Sequence, residues 1–179
     1  MKKWSEAVQV ASSFRQISDD LEELCANGDS GRWANEVDLV VRQAVREDIP
    51  GMHRVRLAVR ENRLTSTVIR AEDYVREIEV TGRGWVITEE GNVVAFAVGN
   101  RETQNIWALF VDPEREGRGY GRRLHEVMVE WLFSQGVPFI WLSTDPGTRA
   151  QRFYEAAGWS FCRVLPDGEH YYELHRSKE

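Results

Sequence analysis

The sequence has only two cysteines, Cys25 and Cys162, far apart and without CxxC spacing, which excludes a disulfide framework and a thiolate zinc site. Both read as small buried hydrophobes. The histidines His53, His125, His170 and His175 are scattered, with no HExxH pattern and no close acidic set. No metal is therefore expected, and these side chains read as solvated or capping. Long apolar runs are missing as well: nothing is long enough to span a bilayer, and the N-terminus lacks the apolar stretch and cleavage site of a signal peptide, so the expected address is cytoplasmic. Nor is there a surplus of positive charge. A formal net charge of −6 argues against a general nucleic-acid or membrane surface. Trp107, Trp131 and Trp141 are expected on core faces rather than on a basic platform. No internal repeat, low-complexity tract or linker interrupts the chain.

What is present suits one domain of ordinary size: 179 residues with the composition of a globular protein. Residues 4 to 25 place Trp4, Val8, Ala11, Phe14, Ile17, Leu21 and Leu24 on one face of a helix that the breakers "NGDSG" close. This predicts an N-terminal helical extension over residues 1–36, ahead of a main domain over 37–179. "VDLVVRQAV" alternates as a strand. Asp48 and Pro50 open a helix running to about Asn62, with "RVRLAV" as its buried face. "AEDYVREIEV" is helical, and "GWVITEEGNVVAFAVGN" reads as two strands joined at Glu90-Gly91-Asn92. "NIWALFV" and "FIWLST" are further strands. "PGTRAQRFYEAAGW" is a short helix with Gly158 at its C′ position, and "WSFCRVL" pairs with "HYYELH" across Pro166-Asp167-Gly168.

One stretch concentrates glycine and arginine. "REGRGYGRRL", Arg115 to Leu124, follows the strand "IWALFV" and runs straight into a helix marked by Leu124, Val127, Met128, Trp131 and Leu132. The first amides of that helix and the positive end of its dipole make a site for an anion such as phosphate. Two familiar phosphate motifs fail. No Lys-Ser or Lys-Thr follows the glycines as a P-loop requires, and a Rossmann turn would need a small residue where Leu124 stands. A simple helix cap is the plainer alternative, although crowded arginines repel one another without an anion.

With "VDPEREGRGYGRRL" after one strand and "PGTRAQRFYEAAGW" after the next, the chain resembles the GNAT superfamily of acyl-CoA N-acyltransferases from about Val37 to its C-terminus. The resemblance implies a mixed α/β (α+β) fold: a mostly antiparallel central sheet flanked by helices, with a V-shaped splay between the fourth and fifth strands. Acetyl-CoA would lie in that gap as co-substrate. The family signature lands on Glu116, Gly119 and Gly121, with Glu116 in place of the usual Gln or Arg; its carboxylate should point away or pair with a nearby arginine. By the same match, main-chain groups of Leu109, Phe110 and Val111 would pair with the pantetheine arm, and Arg118, Gly119, Tyr120, Gly121, Arg122 and Arg123 would clasp the phosphates. Arg149 and Arg152 are candidates for the outer phosphates, with ordinary exposed helix arginines as the alternative.

Tyr154 falls where the family has a tyrosine that protonates the departing thiolate. A tyrosine near ~10 and a thiol near ~8.5 make full transfer uphill by roughly 2 kcal/mol, so its role is chiefly that of hydrogen-bond donor. A core ring beside Phe153 is the alternative. Many members carry a Glu as general base on the fourth strand; the position here is Asn105, which cannot accept a proton. A water chain to a carboxylate such as Glu102, or a low-pKa amine such as an α-amino group, would have to serve. The activity implied is N-acetyl transfer from acetyl-CoA to a primary amine, without a metal, and the rival is an acyl-CoA-binding domain without turnover. Expected partners are a small-molecule or peptide amine acceptor, with a homodimer open, and neither nucleic acid nor membrane. The loops around Arg60 to Arg76 and Gly99 to Gln104 would shape the acceptor site.

Overall fold

A computed structural model of the chain describes residues 40–59 and 69–176. The expected helix over residues 4–25, Cys25 and the start of the first expected strand lie outside the described residues. Among the described residues thirteen segments follow in order, of which seven are strands and four are α-helices. They are β1 (Val41–Gln43), a 3-10 turn (Arg46–Asp48), α1 (Ile49–Ala58), α2 (Ala71–Glu79), β2 (Gly82–Glu89), β3 (Asn92–Asn100), β4 (Asn105–Val111), a second 3-10 turn (Pro113–Arg115), α3 (Tyr120–Ser134), β5 (Phe139–Thr144), α4 (Arg149–Ala156), β6 (Ser160–Val164) and β7 (His170–His175).

The strands form one sheet in the order β1-β2-β3-β4-β5-β7-β6, antiparallel except where β4 meets β5. β2 and β3 turn through Glu90 and Gly91, both at positive φ, as a tight hairpin needs. The helices cover both faces. Ile49, Met52 and Val55 of α1 and Tyr74 and Ile78 of α2 bury against Val86, Phe96, Val98, Ala108 and Phe110. On the other face Gly99 of β3 meets Met128 and Leu132 of α3, because strand neighbours point to opposite sides. α4 ends as its sequence predicts: Gly158 has φ +88°, its amide bonds Glu155, and the Trp159 amide bonds Tyr154, which closes the helix and turns the chain into β6.

β4 and β5 share a single residue pair, Asn105 with Trp141, and the Trp141 amide donates to Gln104 at 3.0 Å. Beyond that vertex they part. β4 stays on β3 as far as Val111 opposite Ala95, whereas β5 stays on β7 as far as Thr144 opposite His170. The strands thus open into a V, with alternate β4 backbone groups directed into the gap.

Four expectations need correction. α1 ends at Ala58 rather than near Asn62, since Val59 is already extended, and no capping residue marks that end. Its "RVRLAV" stretch buries Val55 and Arg56 while Leu57 is 70% exposed, because a helix of this period can direct only part of a consecutive run inward. Cys162 is exposed, not buried, since it lies on β6, an edge strand whose residues are all exposed. His125 is buried rather than solvated or capping, for it shares the inward face of α3 with Leu124, Met128 and Leu132.

Candidate active site

A cleft of ≈ 540 Å³ occupies the V. One wall is β4 at Leu109, Phe110 and Val111, the other is Thr144 at the end of β5 with Asp145 beyond it, and the mouth carries Gly117, Gly119, Tyr120, Gly121 and Arg122 of the glycine turn. Arg149, Phe153 and Tyr154 of α4 complete it, together with Arg115, Glu116 and Val59. Gly119 is the N-cap of α3 with φ +84°, a left-handed conformation that side-chain-bearing residues seldom adopt. The amides of the first turn of α3 have no carbonyl four residues earlier in the helix, so they and the helix dipole favour an anion at the cleft mouth.

Of the residues singled out in the sequence, Leu109, Phe110, Val111, Gly119, Tyr120, Gly121, Arg122, Arg149 and Tyr154 line the cleft together. Arg118, Arg123 and Arg152 are not among its walls. Arg118 lies 3.4 Å from Glu89, and Arg152 donates to the Gly147 carbonyl at 3.2 Å. Glu116 pairs with Arg149 and so joins the glycine turn to the start of α4. That answers its unusual carboxylate: a neighbouring arginine takes it up.

Glu89 at the end of β2 was not legible as a site residue. It accepts from Arg115 at 2.7 Å and from the Tyr120 hydroxyl, tying the glycine turn to the β2–β3 hairpin. The Tyr120 hydroxyl and the Arg115 guanidinium hold the Glu89 carboxyl below its ordinary range. The missing signal is distance: Glu89 lies 31 residues before Tyr120, and no local pattern links them.

Tyr154 is 7% exposed yet forms part of the cleft wall, with its ring packed edge-on against Phe153 and Trp159. It is thus both a packed ring beside Phe153 and a lining residue of the cleft. Burial pushes its pKa well up, so the hydroxyl stays protonated at neutral pH and can donate a hydrogen bond.

Behind it, the Trp159 indole donates to Nε2 of His125 at 2.9 Å. An indole N–H only donates, so Nε2 is the bare acceptor and the proton sits on Nδ1. Burial lowers the His125 pKa from 6.5 to about 4. The folded protein then binds fewer protons than the unfolded chain between those values, so stability is full above pH 6.5 and falls as pH drops toward 4. The expected loss approaches about 3 kcal/mol. Urea unfolding across that range should show the slope in the wild type and a flatter profile in His125→Gln, which keeps a side-chain acceptor but does not titrate.

Among the described residues no group of three or more His, Cys, Asp and Glu could hold a metal ion, and no helix is long and apolar enough to cross a membrane.

The sequence profile of the acetyltransferase (GNAT) family matches residues 42–159. A curated relative, the ribosomal protein bS18-alanine N-acetyltransferase of Haemophilus ducreyi, is 28% identical over 90 residues, or 45% of this chain; the match spans 62% of that relative's length. Among solved structures, the ribosomal-protein-S18-alanine N-acetyltransferase of Escherichia coli superposes with a TM-score of 0.63 at 18% identity, covering 78% of this chain and 95% of that one. An acetyl-coenzyme A complex of a Bacillus anthracis protein described as a streptothricin acetyltransferase gives 0.61 at 16% identity, covering 77% and 99%. At such identities the structural likeness speaks for the fold alone.

Proposed function

Because the chain belongs to the GNAT acetyltransferase family, we propose that it transfers the acetyl group of acetyl-CoA to a primary amine by direct attack of the amine on the thioester. The observation that carries the reading is the cleft between the parted strands β4 and β5, with the N-terminus of α3 at its mouth. In this reading the glycine-turn amides and Arg122 take the pyrophosphate, and Arg118, Arg123, Arg149 and Arg152 serve the remaining phosphate charge. The β4 backbone from Leu109 to Val111 pairs with the pantetheine arm as an added strand would. The neutral amine attacks to form a tetrahedral adduct whose oxyanion is met by β4 amides; the adduct gives up its ammonium proton to water and collapses with cleavage of the C–S bond and release of the thiolate. Tyr154 donates a hydrogen bond to the departing sulfur. A cytoplasmic address belongs to the same proposal.

No carboxylate occupies the general-base position. Asn105 stands at the vertex of the V and accepts a hydrogen bond from the Thr103 hydroxyl at 2.6 Å. This favours an acceptor whose amine loses its proton readily, an α-amino group near ~7.7–8.0 rather than a lysine-like amine near ~10.4. Asn105→Ala is accordingly expected to change kcat only a few-fold; a loss of ~100-fold or more, the size expected of a missing general base, would overturn this account.

The test of the function is thiol release from acetyl-CoA on incubation with a panel of amines comprising aminoglycosides, amino acids, polyamines and peptide N-termini. Tight binding of acetyl-CoA with no thiol release for any of them would establish the rival, a domain that binds acyl-CoA without turnover.

A further inference from the structure

Arg56, in the last turn of α1, is 5% exposed. Its guanidinium carbon lies 4.4 Å from the centre of the Trp107 ring, 4.8 Å from that of Phe110 and 5.3 Å from that of Tyr74. Ring faces attract the charge but offer no lone pair to an N–H. Both Nε and Nη2 are enclosed without a hydrogen-bond partner, and among the described residues no carboxylate pairs with Arg56. Burial pushes its pKa down, opposed by charge interaction and a hydrogen bond with the Tyr74 hydroxyl, and no carboxylate contributes. A buried cation left with two unmet donors is costly, and a fold that keeps one has a reason to expect an anion.

The unmet atoms say which anion. Nε and Nη2 bound one edge of the guanidinium, where their N–H bonds run parallel, and that edge matches the two oxygens of a carboxylate. Its place in the fold says where the anion comes from. Arg56 is not itself a wall of the cleft; it stands behind Phe110, whose ring lies against the guanidinium, and near Val59, three residues further along the chain, and those two residues are walls. We propose that Arg56 is a specificity-determining residue that grips the carboxylate of the acceptor, so that the substrate is a small amine carrying a carboxylate, of the amino-acid class. This rests on the acetyl-transfer reading above and names the substrate class of that site.

The experiment has a binding arm and a turnover arm, both on the full chain. In the first, N-acetylglycine and N-acetylglycinamide are titrated while the Trp107 indole resonance is followed by NMR. The acid should bind at least ~10-fold more tightly than the amide, and Arg56→Gln should erase the difference, because a neutral amide cannot accept the charged fork. In the second, amino acids and their carboxamides compete as acceptors, and the wild-type preference for the acid should fall by ~10-fold or more in Arg56→Gln and in Arg56→Lys, which keeps the charge but loses the fork. Acetyl-CoA affinity and melting temperature in both variants establish that the fold persists. Equal binding of acid and amide by the wild type, or undiminished discrimination in Arg56→Gln, would overturn the proposal. Acid-selective binding without thiol release for any amine would sink the acetyl-transfer reading and leave the carboxylate site standing; turnover indifferent to the carboxylate would do the reverse.

Discussion

Tyr154→Phe is expected to lower kcat on the order of 100-fold while leaving acetyl-CoA affinity and melting temperature near wild type. The separation follows from where the residue sits. Its ring is packed among Phe153, Trp159 and His125, and the substitution keeps all of that packing. Only the hydroxyl goes. A hydrogen bond to the leaving sulfur strengthens as negative charge develops there, so its loss raises the barrier without weakening the ground state. Burial raises the Tyr154 pKa, which makes complete proton transfer less favourable and leaves donation of a hydrogen bond as its contribution. Steady-state kinetics, calorimetry with CoA and thermal unfolding together decide the matter. An unchanged kcat would remove Tyr154 from the mechanism and strengthen the rival that binds without turnover.

Gly119→Val should weaken CoA binding by ~100-fold or more, the equivalent of one or two charge-assisted hydrogen bonds. A Cβ at Gly119 would meet no protein atom within 4 Å, so the substitution does not collide with the fold itself. Its cost to the free protein comes from φ +84°, where a β-branched residue is strained by about 1–3 kcal/mol. Gly136, beyond the other end of α3, has the same φ and equally open surroundings, which makes Gly136→Val a matched control. Both variants should lose similar stability, whereas only Gly119→Val should lose affinity, measured by calorimetry. Equal affinity losses in the two would show that strain alone is responsible, and wild-type affinity in folded Gly119→Val would defeat the assignment of the phosphate site.

Much of this arrangement was legible one residue at a time. The turn at Glu90-Gly91, the close of α4 at Gly158 and the start of α3 after Gly119 each depend on a backbone conformation that few residue types accept, so the sequence advertises them. β5 was legible as a strand from its β-branched and aromatic content, but it was expected to be buried throughout, whereas only Ile140, Leu142 and Thr144 bury and their neighbours do not. His125 was misjudged because a lone histidine in a helix gives no local sign of which face will be covered. Glu89 and Arg56 escaped notice for a related reason: their partners or neighbours come from distant segments, Tyr120 in one case and Trp107 and Phe110 in the other.

The sequence by itself determined the local conformations and the order of elements, and through the glycine turn and the two flanking motifs it identified the family. These depend on torsional preference and periodicity, which act over a few residues. Tertiary structure alone decided how far β4 and β5 stay paired, that Glu116 meets Arg149, that Glu89 braces the turn, and that Arg56 is enclosed by rings with no carboxylate partner among the described residues. Each of these depends on burial and on charges brought together from separate parts of the chain, and the energy of a charge is set by surroundings that exist only once the chain has folded.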